Sequence, residues 1–182
     1  DLAVGLLGQA GPGTPLVDVG TGSGALALAL KAAFPTAPVY GIDLSPAALD
    51  LARENAAANG LEVAFLEGDL LDPLPPSLRG RVEMIVSNPP YLSEAEWEAL
   101  PGEIRLHEPR QALVAGPEGT EVLARIAAEA YWWLGVGGWV ICEMGETQGE
   151  AARRLFGAYE SEVRDDLATK DRDLAYTTVA TL

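Results

Sequence analysis

Short apolar runs alternate with amphipathic stretches along most of this chain. The apolar runs predict strands at residues 15–19, 39–43, 63–66, 82–88 and 139–143, and the stretches between them predict helices at residues 25–33, 46–59, 118–134 and 146–156. Two further strands are predicted at residues 162–166 and 175–182. This order is typical of βα units stacked into a mostly parallel sheet with helices on both faces, so the predicted fold class is α/β with seven strands.

Residues 89–116 carry little periodicity and many Pro, Glu and Arg residues. Long irregular connections in compact domains usually line sites, so we expect a functional loop here, with a short helix at residues 94–100. The glycines of residues 135–138 predict a turn. Cys142 lies in an apolar run and is predicted to be a core residue, and His107 is predicted to lie at the surface.

Length and composition narrow the class of protein. A chain of 182 residues with 48% hydrophobic residues predicts one domain, residues 1–182, and no apolar run approaches the ~18 residues of a membrane span. Because the chain has a single Cys, we expect neither an internal disulfide framework nor a thiolate metal site. The single Cys fits a reducing cytoplasm, and we expect a monomeric protein there. The first residues lack the features of a signal peptide and an initiator Met, so we expect further residues upstream. The net charge of −15 disfavours nucleic acid as a direct partner.

A glycine-rich loop joins the first predicted strand to the first helix, and it reads Gly20-Thr21-Gly22-Ser23-Gly24. Absent side chains let a ligand approach the backbone, and free N-H groups at a helix start favour an anionic group. Asp43 ends the second strand, where a carboxylate can accept both hydroxyls of a ribose. The pattern predicts a nucleotide-type cofactor, although the loop could also be a plain tight turn and Asp43 a helix cap.

The loop alone leaves the cofactor open. Gly20, Gly22 and Ala25 also satisfy the dinucleotide fingerprint, so a nicotinamide dehydrogenase remains an alternative. Asp18 precedes the glycines, however, and this pattern resembles the first motif of class I methyltransferases, which use S-adenosyl-L-methionine. On that resemblance Asp69 contacts the adenine amino group and Leu70 flanks the ring, while a turn residue is the other interpretation of Asp69.

The tetrapeptide Asn88-Pro89-Pro90-Tyr91 follows the fourth predicted strand. Consecutive prolines make it stiff and extended, and because proline nitrogens donate nothing, the segment offers the Asn88 side-chain oxygen and the Pro89 carbonyl as acceptors. Tyr91 adds a flat ring. Two acceptors match the two N-H donors of a planar amide or aminopurine nitrogen, and holding both can turn its lone pair toward an electrophilic methyl group without a strong base.

Four motifs together resemble the release factor glutamine methyltransferase family, in order and spacing. They are the loop segment 18–30, the segment 86–92, the segment Glu-Pro-Arg-Gln-Ala-Leu-Val-Ala-Gly-Pro-Glu-Gly at 108–119, and Glu-Met-Gly-Glu-Thr-Gln at 143–148. The resemblance implies a Rossmann-like sheet with an antiparallel last strand. It also implies methylation of the glutamine in the Gly-Gly-Gln loop of peptide chain release factors, which are the expected partner.

The same resemblance implies the roles of individual residues. The expected cofactor-binding residues, which hold S-adenosyl-L-methionine and its product S-adenosyl-L-homocysteine, are Gly20, Thr21, Gly22, Ser23, Gly24, Asp43, Asp69, Leu70 and Asn88. The expected substrate-binding residues are Asn88, Pro89, Pro90 and Tyr91, of which Asn88, Pro89 and Tyr91 are the expected catalytic ones. No metal is expected.

The chain departs from the family in two places. The family's N-terminal helical domain, which helps dock the release factor, is absent from these residues, and the segment 170–176 matches only loosely and is assigned no role. The alternative function is an adenine-specific amino-methyltransferase acting on DNA or RNA, disfavoured by the acidic charge and the lack of a basic stripe. An inactive, cofactor-binding scaffold is disfavoured by the intact segment 88–91.

Overall fold

A mixed sheet lies at the centre of the computed structural model, which describes residues 2–107, 109–165 and 176–181. The strands are β1 (Leu16–Val19), β2 (Val39–Asp43), β3 (Ala64–Glu67), β4 (Val82–Ser87), β5 (Leu92–Ser93), β6 (Val114–Gly116), β7 (Leu134–Met144), β8 (Glu160–Asp165) and β9 (Tyr176–Thr181). Seven of them pair in the order β3-β2-β1-β4-β7-β9-β8, and β5 pairs with β6 separately.

The first five strands of that order run parallel, and β9 runs antiparallel to β7 and to β8. This confirms the predicted α/β class, the mostly parallel sheet and the antiparallel last strand. The predicted ends at residues 166, 175 and 182 lie outside the described residues.

Helices cover both faces of the sheet. They are α1 (Leu2–Leu7), α2 (Ala25–Ala33), α3 (Pro46–Asn59), α4 (Glu94–Ala99), α5 (Gly102–His107), α6 (Arg110–Leu113), α7 (Glu121–Trp133) and α8 (Gly149–Leu155). Two hydrophobic clusters fill the space between helices and sheet. One joins β1 and β4 to α7 and α8, and the other joins them to α2, with α1 packed against it. Because both faces are covered, the central strands β1 and β4 are mostly apolar, with Asp18 and Glu83 as their charged residues.

The ends of α3 follow from its sequence. Ser45 accepts a hydrogen bond from the N-H of Ala48 at 3.3 Å, Pro46 occupies the first turn, and Gly60 ends the helix in a left-handed conformation with φ 64°. These are the residues that helix starts and ends favour, and the predicted bounds of this helix are confirmed.

Several predicted boundaries differ from the structure. Helix α8 begins at Gly149 rather than at residue 146, and β8 begins at Glu160 rather than at residue 162. The glycines at 135–138 lie within β7, where the backbones approach closely: a Cβ at Gly138 would sit 2.9 Å from the carbonyl oxygen of Val82. Helix α7 begins at Glu121 rather than at residue 118, since the Glu121 carboxylate accepts the Glu118 N-H at 2.8 Å. Strand β3 lies one residue later than predicted, and α1 was not predicted.

The segment 89–116 is more regular than predicted. The expected helix at 94–100 is confirmed as α4, which starts with a capping box between Ser93 and Glu96, but α5, α6 and β6 replace the expected irregular loop. No residue of α4, α5 or α6 is buried. Without a buried face these short helices leave no apolar periodicity to detect, and among them only α4 has a capping box at its start. Arg110 pairs with Glu94 and ties α6 to α4.

Candidate active site

The carboxyl ends of β1, β2 and β4 lie side by side. In the strand register Val19 pairs with Ile42 on one side and with Ser87 on the other. The glycine loop therefore follows one strand end, Asp43 closes the next, and Asn88 follows the third. Ligands of open α/β folds bind at this edge, so the topology brings the predicted cofactor loop and the predicted substrate segment to the same place.

Asp18 organises the glycine loop from below. Its side chain is 1% exposed and its Oδ2 accepts hydrogen bonds from the Thr21 hydroxyl at 2.6 Å and from the Ala27 N-H at 2.9 Å. Its Oδ1 is buried and has no partner among the described residues. Burial raises the pKa of Asp18 to about 6, against the lowering effect of the Thr21 and Ala27 hydrogen bonds and with a further raising effect from the charge of Asp43. A cationic or hydrogen-donating ligand near this loop would give Asp18 Oδ1 the partner that it lacks.

The three glycines of the loop meet two different structural requirements. Gly20, Gly22 and Gly24 have φ of 69°, 53° and 85°, a region that other residues rarely adopt. A Cβ at Gly24 would lie 3.1 Å from the Cβ of Ala52, so this position serves the packing of α2 against α3. A Cβ at Gly20 or Gly22 would meet nothing within 4 Å, so these two positions leave an open surface that a ligand can approach.

Asp43 connects the loop to the second βα unit. Its Oδ2 accepts the Gly22 N-H at 2.8 Å and its Oδ1 accepts the Ser45 N-H at 2.9 Å. Both interpretations of Asp43 are thus compatible, because each carboxylate oxygen keeps a second lone pair for a ligand after one backbone contact. Leu44, the next residue, is 67% exposed at the same edge. Sequence reasoning missed Leu44, although an apolar residue directly after the strand-ending acid was a visible signal.

Asp69 is held by a residue that the sequence did not indicate. Both of its oxygens accept hydrogen bonds from Arg125 of α7, at 3.1 and 2.9 Å. Glu129, one turn further along α7, pairs with Arg125 at 3.3 Å and accepts the Leu71 N-H at 3.3 Å. Leu70, between these contacts, has φ 46° and is the single non-glycine residue of the described part of the chain with positive φ. The α7 contacts on either side hold this uncommon conformation.

The segment 88–91 begins at a fixed strand end. Asn88 is exposed, and its side chain makes no hydrogen bond to any described residue, so its acceptor oxygen is available. Pro89 is buried, and Pro90 and Tyr91 are half-buried. The Tyr91 N-H donates to the Leu113 carbonyl at 3.1 Å. Burial, followed by the charge of Glu143, raises the pKa of Tyr91, so its hydroxyl is neutral at physiological pH.

Gln148 supports the end of this segment. It is 7% exposed and donates from Nε2 to the carbonyl of Tyr91 at 2.7 Å and to that of Gly119 at 3.0 Å. Sequence reasoning placed Gln148 in a helix and gave it no role. Nothing in its local pattern indicated a contact with a residue 57 positions away.

The remaining reactive side chains are buried in the core or lie away from the glycine loop and the segment 88–91. Cys142 is fully buried and its pKa is raised by burial to about 12, which confirms its predicted place in the core. His107 is exposed at the end of α5, which confirms its predicted surface position. The described residues hold no cluster of His, Cys, Asp or Glu suited to a metal ion, and every helix among them is too short or too polar to cross a membrane. A cavity of about 550 Å³ lies at the amino ends of β2 and β3, away from the glycine loop.

Comparison with known proteins agrees with this geometry. The family model described as the methyltransferase small domain matches residues 6–142. The release factor glutamine methyltransferase of Deinococcus radiodurans is 46% identical over 159 residues, which cover 86% of this chain and 55% of that protein. The chain spans about half the length of the curated relatives it matches.

Solved structures share the fold. A methyltransferase from Pyrococcus furiosus superposes with a TM-score of 0.70 at 16% identity, over 99% of this chain and 80% of that chain. A 16S rRNA N2 methyltransferase of T. thermophilus, solved in complex with AdoMet and guanosine, superposes with a TM-score of 0.66 at 20% identity, over 99% of this chain and 40% of that chain. At these identities the likeness shows a common architecture and no more.

Proposed function

Because this chain belongs to the methyltransferase small domain family, we propose that it transfers a methyl group from S-adenosyl-L-methionine to a glutamine side chain, that of the Gly-Gly-Gln loop of peptide chain release factors. One observation carries this proposal. Asn88 presents an unbonded side-chain amide at the end of β4, on a stiff Pro89-Pro90 segment, and a hydrogen bond at the strand end fixes it beside the glycine loop. The names of the relatives at 46% and 41% identity support the choice of substrate.

The residues at the strand ends fit the cofactor. Gly20 and Gly22 leave room for a ligand at the backbone, Asp43 keeps lone pairs for the ribose hydroxyls, and Asp18 has a buried acceptor without a partner. On the same proposal Leu44, Asp69 and Leu70 surround the adenine. When bound, S-adenosyl-L-methionine supplies an electrophilic methyl group on a positively charged sulfur.

Asn88 and Pro89 hold the substrate nitrogen in this proposal. The Asn88 side-chain oxygen and the Pro89 carbonyl each accept one N-H of the glutamine amide, and Tyr91 places its ring against the flat amide. An amide nitrogen is a weak nucleophile because its lone pair is delocalised. Two acceptors fixed by a rigid segment favour the pyramidal form in which the lone pair is free.

No strong base is needed near the nitrogen. The amide nitrogen becomes acidic only after it has gained the methyl group, so its proton can leave to water at the end. Among the described residues, Cys142 is enclosed in the core and His107 lies on an exposed helix outside the loop and the segment 88–91. The proposed reaction therefore depends on the positioning of the substrate nitrogen and not on a catalytic base.

Mass spectrometry tests the proposal. The chain is incubated with methyl-labelled S-adenosyl-L-methionine and a purified release factor, and in parallel reactions with DNA and with RNA. The expected result is one added methyl group on the glutamine of the Gly-Gly-Gln loop and none on the nucleic acids. A release factor with that glutamine changed to alanine is the matched control and should gain no label. Label appearing on DNA or RNA and not on the release factor would move the function to amino groups of adenine, and label on neither would refute transfer by this chain.

A further inference from the structure

The two prolines limit the hydrogen bonds that can hold the backbone of the segment 88–91. Pro89 and Pro90 have no N-H, so they cannot donate to a neighbouring strand. Their fixed φ angles make the segment stiff, and we call it the Pro-Pro strut. Its direction depends on the contacts that hold its two ends. At the amino end Ser87 donates to the Val19 carbonyl at 2.7 Å. The other end is Tyr91, and its ties determine where Asn88 and Pro89 point.

Tyr91 is tied through both of its backbone polar groups. Its N-H donates to Leu113, and its carbonyl accepts from Gln148 Nε2 at 2.7 Å, shorter than a usual amide hydrogen bond. Gln148 also donates to the Gly119 carbonyl at 3.0 Å and accepts the Gly145 N-H at 3.0 Å through Oε1. Both amide donors and the carbonyl of this buried side chain are therefore used, and one residue joins the ends of three segments.

The backbone around the Gln148 side chain is closely packed. Gly119 has φ +80°, and a Cβ there would lie 2.7 Å from the Tyr91 carbonyl oxygen and 3.0 Å from Gln148 Nε2. A Cβ at Gly145 would lie 3.5 Å from the Tyr91 ring and 3.4 Å from the Gln148 side chain. A change at Gln148 is thus transmitted to Tyr91, because the neighbouring backbone is already in contact with both.

We propose that Gln148 is a positioning residue for methyl transfer: through the Tyr91 carbonyl it fixes the Pro-Pro strut that aims the Asn88 and Pro89 acceptors. This rests on the proposed function, since it concerns the same transfer. Gln148 touches neither cofactor loop nor Asn88, so its effect falls on the rate of transfer and not on cofactor binding. A displacement of about 1 Å of a reacting group can lower a rate on the order of 100-fold, so loss of this tie should lower turnover roughly 10- to 100-fold.

Two variants separate positioning from mere stability. Gln148→Leu keeps the size and removes all three hydrogen bonds, and it should lower turnover at every pH. Gln148→Glu keeps the acceptor for Gly145 but places a carboxylate against the Tyr91 and Gly119 carbonyls. When protonated, that carboxyl can donate to Tyr91 again, so the ratio of its turnover to that of the unchanged chain should rise as the pH falls. Tyr91, Glu121, Glu143 and Glu146 are present in every variant and cancel in the ratio.

Tyr159→Phe is the matched control. It removes a 2.7 Å hydrogen bond from the Tyr159 hydroxyl to the Ala127 carbonyl in the same half of the molecule, without touching the segment 88–91. It should lower thermal stability, by less than Gln148→Leu because it removes one hydrogen bond and not three, and it should leave turnover unchanged. Single-turnover transfer to a release factor, calorimetric affinity for S-adenosyl-L-methionine and thermal unfolding are measured for each protein.

The outcomes distinguish the two proposals. If the unchanged chain does not methylate the release factor, the proposed function is wrong. If it does, and Gln148→Leu or Gln148→Glu transfers at the same rate, the positioning role is wrong. It is also wrong if turnover falls only in proportion to stability, as Tyr159→Phe calibrates it, or if the Gln148→Glu ratio is flat with pH. If Gln148→Leu does not fold, the Gln148→Glu pH ratio alone decides.

Discussion

Ser87 donates a hydrogen bond from its hydroxyl to the carbonyl oxygen of Val19 at 2.7 Å, and both residues are almost fully buried. They are the last residues of β4 and β1, so this one contact joins the strand ends from which the segment 88–91 and the glycine loop depart. The distance between the two halves of the site is set by the core of the sheet and not by surface loops.

Ser87→Ala should therefore lower stability and activity together. It leaves the buried Val19 carbonyl without this donor, which lowers the free energy of unfolding by about 1–3 kcal/mol. Urea unfolding measures the effect, and Ser77→Ala, on an exposed turn, is the matched control. A Ser87→Ala protein as stable and as active as the unchanged chain would show that the sheet register alone sets the spacing.

Asp43→Ala should weaken binding of S-adenosyl-L-methionine. The variant loses hydrogen bonds to a charged acceptor worth ~1.5–3 kcal/mol, or roughly 10- to 100-fold in affinity. It also frees the Gly22 N-H and loosens the loop. Calorimetry measures the dissociation constant, with Asp50→Ala as the control because Asp50 is an exposed acid on the adjacent helix α3. Unchanged affinity would remove Asp43 from the cofactor site.

Asn88→Ala should reduce turnover on the order of 100- to 1,000-fold while cofactor affinity changes little, because one positioned acceptor is lost from a preorganised site. Single-turnover transfer to a release factor and calorimetry separate the two. Asn59→Ala, at the exposed end of α3, is the control. A folded Asn88→Ala protein that binds cofactor and transfers at the normal rate would end its assignment. Asn88→Asp is expected to retain more activity than Asn88→Ala only if hydrogen-bond acceptance is the whole role of Asn88.

Asp18 should make stability depend on pH. Its pKa in the folded chain is about 6, above the usual 3.8, so the folded state favours the protonated form. Stability from Asp18 is complete below pH 3.8 and is lost as the pH rises through about 6, a loss of about 3 kcal/mol.

Asp18→Asn removes this dependence. The free energy of unfolding of the variant minus that of the unchanged chain should rise by about 3 kcal/mol between pH 4 and pH 7. Asp72→Asn, an exposed acid, should give a flat difference over the same range. A flat difference for Asp18→Asn as well would mean that this carboxyl titrates normally in the folded chain.

Arg125→Ala should weaken cofactor binding modestly. The guanidinium holds both oxygens of Asp69, but the pair is about half exposed, so its loss is worth ~0.2–1 kcal/mol, or roughly 1.4- to 5-fold in affinity. Arg53→Ala removes another exposed ion pair, with Asp50 on α3, and should leave the affinity unchanged. Equal effects of the two variants would mean that general charge, and not the hold on Asp69, is responsible.

The elements of the fold that could be predicted are those whose burial or whose ends follow from a local sequence pattern. Strands β1 and β4 lie between helices on both faces and appear as mostly apolar runs, broken by Asp18 in β1 and by Glu83 and Ser87 in β4, and α3 carries its own start and stop residues. Helix α5 has no buried residue and no Ser, Thr, Asp or Asn directly before it, whereas the equally unburied α4 begins with the Ser93–Glu96 capping box. The β7 glycines at 135–138 misled because they serve a close backbone approach and not a turn.

The site divides in the same way. The positions of the proposed site residues Gly20, Asp43 and Asn88 at the sheet edge could be predicted because each directly follows or ends a strand. Gln148 and Arg125 could not, since they act on Tyr91 and Asp69 across 57 and 56 residues. The left-handed Leu70 was equally hidden, because its conformation depends on contacts from α7 and not on its neighbours.

The position of β9 has a consequence for biosynthesis. It lies between β7 and β8, and it follows both along the chain. While the ribosome is still making residues 176–181, the nascent chain holds β7 with an open edge and β8 with no neighbour in the sheet. Unpaired edges are where growing chains aggregate or capture the wrong strand. Insertion of β9 between β7 and β8 is thus a late, non-local step, and until it occurs both strands have edges open to wrong pairing.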